Sequence, residues 1–176
     1  AGLPEPFDLI LQEYPVPSVY LAGFDVFHPD ALARGAYLKQ LCAEHGLRGL
    51  YPLDAEVPAT VAQPAHWICD ANLQALRSAD AVLANLGCFR GAEPDSGTVF
   101  EVGFACALGK PVWAYFPEQQ PLIEQIRHDS QGRCADGFQV EDFGLPRNLM
   151  LACSWVGASS SAEQAVAALA GWLHGA

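Results

Sequence analysis

The stretch Ala81-Val82-Leu83-Ala84-Asn85-Leu86, residues 81–86, decides the fold, because it is apolar at nearly every position and has the length of one β-strand. A strand with one face in water alternates apolar and polar residues, whereas a strand of a parallel sheet is covered on both faces and forms a continuous apolar run. A polar, glycine-rich connection follows at residues 87–98 and leads into a second apolar segment. The sequence therefore predicts an interior strand of a parallel sheet, followed by a loop and a helix.

Similar strand-like and helix-like segments alternate along the rest of the chain. The other predicted strands are Val19–Gly23, Gly49–Leu53, Pro111–Phe116 and Leu149–Trp155. The predicted helices are Pro29–His45, Ala65–Ser78, Thr98–Leu108, Pro121–Arg127 and Ala162–His174. This alternation predicts an α/β fold, namely a flavodoxin-like, doubly wound, five-stranded parallel sheet with helices on both faces. Such a sheet binds its ligand at the carboxyl ends of the strands, where the strand order reverses.

Size and charge narrow the possible functions. The chain has 176 residues, of which 51% are hydrophobic, so we expect a single domain over residues 18–176, preceded by an N-terminal extension at residues 1–17. Nine Lys and Arg against twenty Asp and Glu give a net charge of −11, which disfavours nucleic acid and membrane surfaces as partners. The N-terminal stretch lacks the basic start of a secretory signal, and we therefore expect a cytoplasmic location.

The cysteines and histidines show no metal-binding pattern. The six cysteines are scattered without a Cys-x-x-Cys pair, and the five histidines share no ligand spacing. We therefore expect no metal site, no disulfide framework and no organic cofactor.

The connection at residues 87–98 and the helix after it carry two carboxylates. Glu101 is the only charged residue from 99 to 108, and a carboxylate in so apolar a helix is costly to bury without a partner. Asp95 precedes it by six residues, and both acids fall at the carboxyl edge of the predicted sheet. A carboxylate near a helix N-terminus is held ionised, which suits a nucleophile that attacks an anomeric carbon. Glu101 is thus the candidate nucleophile, and Asp95 is the candidate for binding sugar hydroxyls or transferring protons.

Two other interpretations of this region remain open. Thr98-x-x-Glu101 is also a capping box, in which Thr98 caps the helix and Glu101 returns to the backbone N–H of Thr98. The turn at residues 96–98 is also suited to bind a phosphate, although two nearby carboxylates favour a neutral substrate. Elsewhere, the pair Glu141-Asp142 and the run Glu118-Gln119-Gln120 are expected to be solvated surface.

Five sequence elements occur in an order that resembles a known family. They are Val19-Tyr20-Leu21-Ala22-Gly23, residues 79–86, Asp95-Ser96-Gly97-Thr98-x-x-Glu101-x-Gly103, Gly109-Lys110-Pro111-Val112 and Asn148-Leu149-Met150. Together they resemble the nucleoside 2-deoxyribosyltransferases over residues 19–155. The resemblance implies transfer of 2-deoxyribose from one nucleobase to another, and we expect a double displacement through a covalent deoxyribosyl intermediate on Glu101.

The resemblance also implies roles for three candidate catalytic residues. Glu101 matches the nucleophile of the family, Asp95 matches its sugar-binding acid, and Tyr20 matches the first-strand tyrosine that helps to orient the nucleophile. From the residues alone, Tyr20 is an ordinary core aromatic of a strand rather than a site residue.

Four further residues fall at positions expected to bind substrate: Gly23, Phe24, Asn72 and Gly97. Asn72 stands where some members of the family carry Asp, and Phe24 stands where many carry Pro. Because an amide binds a base but does not readily protonate it, the preference for purine or pyrimidine stays open.

Asn148 and Met150 match residues that a neighbouring subunit contributes in the family. The resemblance therefore implies a homo-oligomer, a dimer or a hexamer, that acts on deoxynucleosides and nucleobases. From the residues alone, Asn148 is a turn residue and Met150 is core packing. Two other functions remain open: an N-glycosidic hydrolase of nucleosides or 2'-deoxynucleoside 5'-phosphates, and a nucleotide-binding module without turnover.

Overall fold

A computed structural model describes residues 15–175, so most of the predicted N-terminal extension at residues 1–17 lies outside the described residues. The strands are β1 Ser18–Ala22, β2 Arg48–Leu50, β3 Ala81–Asn85, β4 Val112–Tyr115 and β5 Gly157–Ser159. The helices are α1 Ala31–Glu44, α2 Pro64–Ser78, α3 Ser96–Ala107, α4 Leu122–Gln125, α5 Leu149–Ala152 and α6 Ala162–Gly175, with a short 3₁₀ helix at Phe24–Phe27. No helix within residues 15–175 is long and apolar enough to cross a membrane.

The five strands form one parallel sheet in the order β2-β1-β3-β4-β5. This is the flavodoxin-like order, and the predicted fold class is confirmed. Tyr20 at the middle of β1 pairs with Leu50 of β2 and with Val82 of β3. The strand order reverses between β1 and β3, so the loops that leave these two strands border the position where a ligand is expected.

The core has two halves, one on each face of the sheet. Val19 and Leu21 face α1 and α6, whereas Tyr20 and its neighbour Ala22 pack in the opposite half with α2 and α3. Successive side chains of a strand point to opposite faces, which explains this division. Tyr20 therefore lies on the same side of the sheet as α3, the helix that carries Glu101.

The fifth predicted strand, Leu149–Trp155, is wrong. Its first residues form α5, and β5 lies further along the chain, where Gly157 pairs with Trp113 of β4. The cause is local, since the Asn148 side chain accepts a hydrogen bond from the backbone N–H of Met150 and so caps a helical turn. At position 157 a Cβ atom would lie 2.5 Å from the Trp113 ring, so a glycine is needed where the two strands meet.

Candidate functional site

The Glu101 carboxylate is held by the hydroxyl of Tyr20. Tyr20 is fully buried in β1, and its hydroxyl donates to Glu101 Oε1 at 2.6 Å, across 81 residues of sequence. Glu101 Oε2 accepts no hydrogen bond from residues 15–175. Every side-chain oxygen that is sealed from solvent in this part of the chain has a hydrogen-bond partner, so Oε2 is in contact with solvent. One carboxylate oxygen is thus fixed, and the other remains accessible to a ligand.

Asp95, rather than Thr98, caps α3. Its Oδ2 accepts from the backbone N–H of Thr98 at 2.9 Å and from the Thr98 hydroxyl at 3.0 Å, and the helix begins at Ser96. The alternative capping box of Thr98 and Glu101 is therefore wrong, because Glu101 bonds to Tyr20 instead. A Cβ atom at Gly97 would lie 3.1 Å from Asp95 Oδ2, so the glycine leaves room for this cap. Asp95 Oδ1 accepts no hydrogen bond from residues 15–175.

Burial controls the protonation of Glu101. Desolvation raises the pKa of its carboxyl group from 4.5 to about 7; the hydrogen bond from Tyr20 opposes this rise, and the negative charge of Asp95 adds to it. The expectation that the helix N-terminus holds Glu101 ionised is therefore not met, because Glu101 is the sixth residue of α3, beyond the turn where the helix dipole acts. Burial, and then the proximity of Glu101, raises the pKa of Tyr20 well above its usual value, so this hydroxyl stays protonated and donates.

Because its pKa is raised, Glu101 lowers the free energy of unfolding, and this destabilisation grows with pH. Below pH 4.5 the carboxyl is protonated in both the folded and the unfolded chain, whereas above pH 7 it is ionised in both and only the folded chain keeps it desolvated. Glu101→Gln should therefore raise the free energy of unfolding by about 3 kcal/mol at pH 8.5, and by less at pH 5.5. Urea unfolding at the two pH values measures this gain. Glu124→Gln, which neutralises an exposed carboxylate on α4, is the control, and an equal gain at both pH values would contradict the assigned cause.

A cavity of about 320 Å³ brings five of the predicted residues together. They are Gly23, Asn72, Asp95, Gly97 and Glu101. The other lining residues are mostly apolar: Val26, Phe27, Pro52, Leu53, Ile68 and Thr98. Two carboxylates and one amide in an otherwise apolar cavity can hold a small polar molecule with a planar ring. Within residues 15–175, no three or more His, Cys, Asp or Glu side chains are grouped to hold a metal ion.

Phe27, not Phe24, lines this cavity. The Phe24 ring stacks on Phe89 at 5.4 Å, and Phe27 stacks on Phe89 at 5.3 Å. The 3₁₀ helix after β1 thus directs Phe27 to the cavity and leaves Phe24 among the supporting aromatics. Sequence reasoning missed Phe27, although an aromatic residue four positions after the end of the predicted first strand is a usable signal.

Asn148 and Met150 do not line the cavity that contains Glu101 of the same chain. They border a second cavity of about 590 Å³ that is also lined by Val99 and Val102 of α3 and by Leu151 of α5. Met150 is 73% exposed, so its prediction as simple core packing is wrong.

The chain is similar to known proteins over most of its length. The family model described as nucleoside 2-deoxyribosyltransferase matches residues 19–150, three quarters of the chain. The chain belongs to the nucleoside 2-deoxyribosyltransferase family. The resemblance inferred from the five sequence elements is therefore confirmed.

Individual relatives of this nucleoside 2-deoxyribosyltransferase family member extend the comparison. The structure of a 2-desoxiribosyltransferase from Leishmania mexicana is 35% identical, with a TM-score of 0.75, and the match covers 88% of this chain and 97% of that one. The structure of a 2-deoxyribosyltransferase from Bacillus psychrosaccharolyticus is 20% identical, with a TM-score of 0.56 and coverage of 84% and 88%, and shows similarity of fold alone. An uncharacterized protein of Schizosaccharomyces pombe is 32% identical over 121 residues, which are 66% of this chain and 57% of that protein.

Arg147 is a structural residue of this family member that sequence reasoning missed. Its fully buried guanidinium donates to the Leu86 carbonyl, to Gln125, to the Pro146 carbonyl and to Glu118, at 2.6 to 2.8 Å. Glu118 was expected to be solvated surface and instead pairs with this buried cation. Arg147 thus joins the loops after β3 and β4 to the segment that precedes Asn148. An Arg after Pro in a polar loop gives no local signal of such burial.

Proposed function

We propose that this protein transfers the 2-deoxyribosyl group between nucleobases in two displacements at Glu101. The observation that carries the proposal is the buried Glu101 carboxylate, which has one oxygen fixed by Tyr20 and the other accessible at a cavity of about 320 Å³. A fixed and partly desolvated carboxylate is well suited to attack the anomeric carbon of a nucleoside.

In the first displacement, Glu101 Oε2 attacks the C1' carbon of the donor deoxynucleoside. The C1'–N bond breaks, its electron pair leaves with the base, and an ester forms between the sugar and Glu101. The transition state resembles an oxocarbenium ion, whose positive charge the Glu101 carboxylate stabilises in its low-dielectric site. A 2-deoxy sugar reaches this state readily, since it lacks the electron-withdrawing 2'-hydroxyl.

In the second displacement, a ring nitrogen of the acceptor base attacks C1'. The C1'–O bond of the ester breaks, and the Glu101 carboxylate is regenerated. The acceptor loses its N–H proton, and the departing donor base takes up one proton, so the overall exchange neither consumes nor releases a proton. Two inversions at C1' give net retention of configuration.

Other cavity residues would hold the sugar and the base during these steps. The free Asp95 Oδ1 is available to a sugar hydroxyl, because the other oxygen of the same carboxylate caps α3. We assign three residues to the base. Asn72 and Ile68 lie four residues apart on one face of α2, and Phe27 lies after β1. Gly23 keeps the loop after β1 close to the end of β3, since a Cβ atom there would lie 2.8 Å from the Cβ of Asn85.

We also propose that Asn148 and Met150 complete the site of a neighbouring subunit in a homodimer or a larger assembly of dimers. In support, both residues lie away from the Glu101 cavity of their own chain. The cavity that they border is lined in large part by apolar side chains, among them Val99, Val102 and Leu151, and Met150 is exposed. Apart from its chain neighbours and the backbone of its own helix, no atom of residues 15–175 lies within 4 Å of a Cβ built at Gly103 of α3, which leaves space for close approach of a second chain.

The pH dependence of the reaction follows from the proposed role of Glu101. Because the nucleophile must be ionised, kcat/KM should rise with pH through an apparent pKa of about 7 and then level off. Tyr20→Phe should move this rise to higher pH, since the lost hydrogen bond is the one that lowers the pKa of Glu101. Tyr37→Phe, which removes a surface hydroxyl bonded to Glu163, is the control. A flat profile from pH 5.5 to 8.5, or a shift to lower pH in Tyr20→Phe, would contradict the assignment.

The experiment that tests the function is base exchange followed by chromatography. The protein is incubated with thymidine and adenine, and separately with 2'-deoxyinosine and adenine. Deoxyadenosine in either mixture supports the transferase, and the mixture that forms it shows whether pyrimidine donors are accepted. Free base without deoxyadenosine would favour the hydrolase, and binding of the nucleosides without any product would favour the binding module.

A further inference from the structure

The side chain of Asn148 is engaged by its own chain at both ends of its amide. Its Oδ1 accepts from the backbone N–H of Met150 at 3.0 Å, and its Nδ2 donates to Glu141 Oε1 at 2.5 Å. The second oxygen of the same carboxylate, Glu141 Oε2, accepts from the backbone N–H of Leu149 at 2.8 Å. Glu141 therefore binds both the side chain of Asn148 and the first turn of α5.

These contacts fix which way the Asn148 amide is turned. If its oxygen and nitrogen exchanged places, the oxygen would face the Glu141 carboxylate and the nitrogen would face the N–H of Met150, and both contacts would be repulsive. An amide nitrogen carries two hydrogens, and Glu141 takes one of them. Asn148 is thus left with one N–H, which is suited to an acceptor oxygen.

Glu141 is placed for this task by the chain on both sides of it. Val140, the residue before Glu141, is buried in the core. Glu141 itself is half-buried, whereas its neighbour Asp142 is exposed. The prediction that Glu141-Asp142 is solvated surface is therefore wrong for Glu141. Among residues 15–175 the side chain of Asp142 makes no hydrogen bond or ion pair, which makes it a matched control.

We propose that Glu141 is a positioning residue that turns the Asn148 amide so that its remaining N–H donates to a hydroxyl oxygen of the deoxyribose bound in the neighbouring subunit. The proposal rests on the proposed function, in which Asn148 serves the partner's site. Glu141 itself does not touch the sugar; it acts through Asn148.

The test separates positioning from simple structural support by exchanging the two side chains. Asn148 Nδ2 and the Leu149 N–H both donate to Glu141. In Glu141→Gln, the new side chain has a single acceptor oxygen, and its NH₂ group faces one of these two donors, so one of the two hydrogen bonds is lost. In the double variant Glu141→Gln/Asn148→Asp, the amide introduced at position 141 donates to the carboxylate introduced at position 148 and accepts from the N–H of Leu149. The same carboxylate accepts from the N–H of Met150. The contacts within α5 are restored in the double variant, but no N–H remains for the sugar.

Two readouts are measured on a Glu101→Ala background, in which the donor is not consumed. Hydrogen exchange of the Leu149 or the Met150 amide should become faster in Glu141→Gln, according to which hydrogen bond is lost, and both amides should have the parent rate in the double variant. The Kd of thymidine and 2'-deoxyinosine, measured by calorimetry, should rise about 10-fold in Glu141→Gln and stay raised in the double variant. Asp142→Asn should change neither readout.

Two results would overturn the proposal. One is recovery of the parent Kd in the double variant, which would show that Glu141 only stabilises α5. The other is a Glu141→Gln variant whose Kd and amide exchange equal those of its parent. If the wild-type protein exchanged no bases while the expected Kd pattern held, the proposed transfer would fail and the positioning role of Glu141 would stand.

Discussion

Replacing Glu101 by alanine should reduce kcat/KM for base exchange by roughly 10³-fold or more, because no other side chain at the cavity can form the sugar ester. Asp95 is the other carboxylate that lines it, but Asp95 Oδ2 caps α3 and Asp95 Oδ1 is the oxygen proposed to bind a sugar hydroxyl, so neither oxygen is left to replace the nucleophile. Chromatography of the thymidine and deoxyinosine reactions measures the loss. Near-normal transfer by a folded Glu101→Ala variant would remove Glu101 from the mechanism.

The same substitution should leave the fold intact. It removes a carboxyl group whose desolvation raises its pKa to about 7, and it leaves the Tyr20 hydroxyl without an acceptor. The relief of about 3 kcal/mol and the cost of an unpaired buried hydroxyl, about 1–3 kcal/mol, are similar in size. Thermal unfolding followed by circular dichroism provides this control, and a large drop in Tm would mean that lost activity reports unfolding.

Mixed oligomers should recover activity from two chains that are each defective. Glu101→Ala lacks the nucleophile, and Asn148→Ala lacks the residue proposed to serve the neighbouring subunit. In a heterodimer of the two variants, one site contains the intact Glu101 of one chain and the intact Asn148 of the other. Random pairing makes half of the dimers mixed, and each mixed dimer has one complete site in two. About one quarter of the wild-type activity should therefore return in the mixture, and about one half in the purified mixed dimer.

Co-expression with two different affinity tags yields the mixed species for this measurement. Two differently tagged copies of Glu101→Ala are the control, and they should show no recovery. A purified mixed dimer with no more activity than its parents would place Asn148 outside the neighbouring site. Size-exclusion chromatography that finds only monomers would contradict the shared site altogether.

The meeting of Tyr20 and Glu101 could be anticipated only through the family resemblance, because from the residues alone Tyr20 is an ordinary core aromatic of a strand. The fold by itself predicts that the loops after β1 and β3 lie at the same edge of the sheet. Continuous apolar runs and helical segments in alternation predict a parallel sheet, and a parallel sheet brings the ends of β1 and β3 to one edge. The raised pKa of Glu101 could not be anticipated in the same way. It depends on how deeply α3 packs against the sheet, which is a property of the assembled core.

The errors in the sequence analysis concern interactions that are either very local or very distant. Leu149–Trp155 is apolar like a strand, but the cap formed by Asn148 begins a helical turn at Leu149. The strand forms instead from the small residues of β5. The burial of Arg147 depends on Leu86, 61 residues away, which no local pattern reveals. Glu141 was expected to be solvated surface. Its partner Asn148 could not be foreseen, because the connection between the two residues has no regular periodicity.

Asp95 has two roles, and this restricts which substitutions evolution can accept at position 95. The same carboxylate begins the helix that bears Glu101 and lines the cavity beside it. A substitution that altered sugar recognition at this position would also have to cap a helix, which leaves chiefly Asn, Ser and Thr. The part of the cavity lined by Phe27, Ile68 and Asn72, which is proposed to bind the base, begins no helix. On that proposal, new base preferences can arise there by single substitutions at little cost to folding. Selection can therefore broaden the range of bases far more easily than the range of sugars.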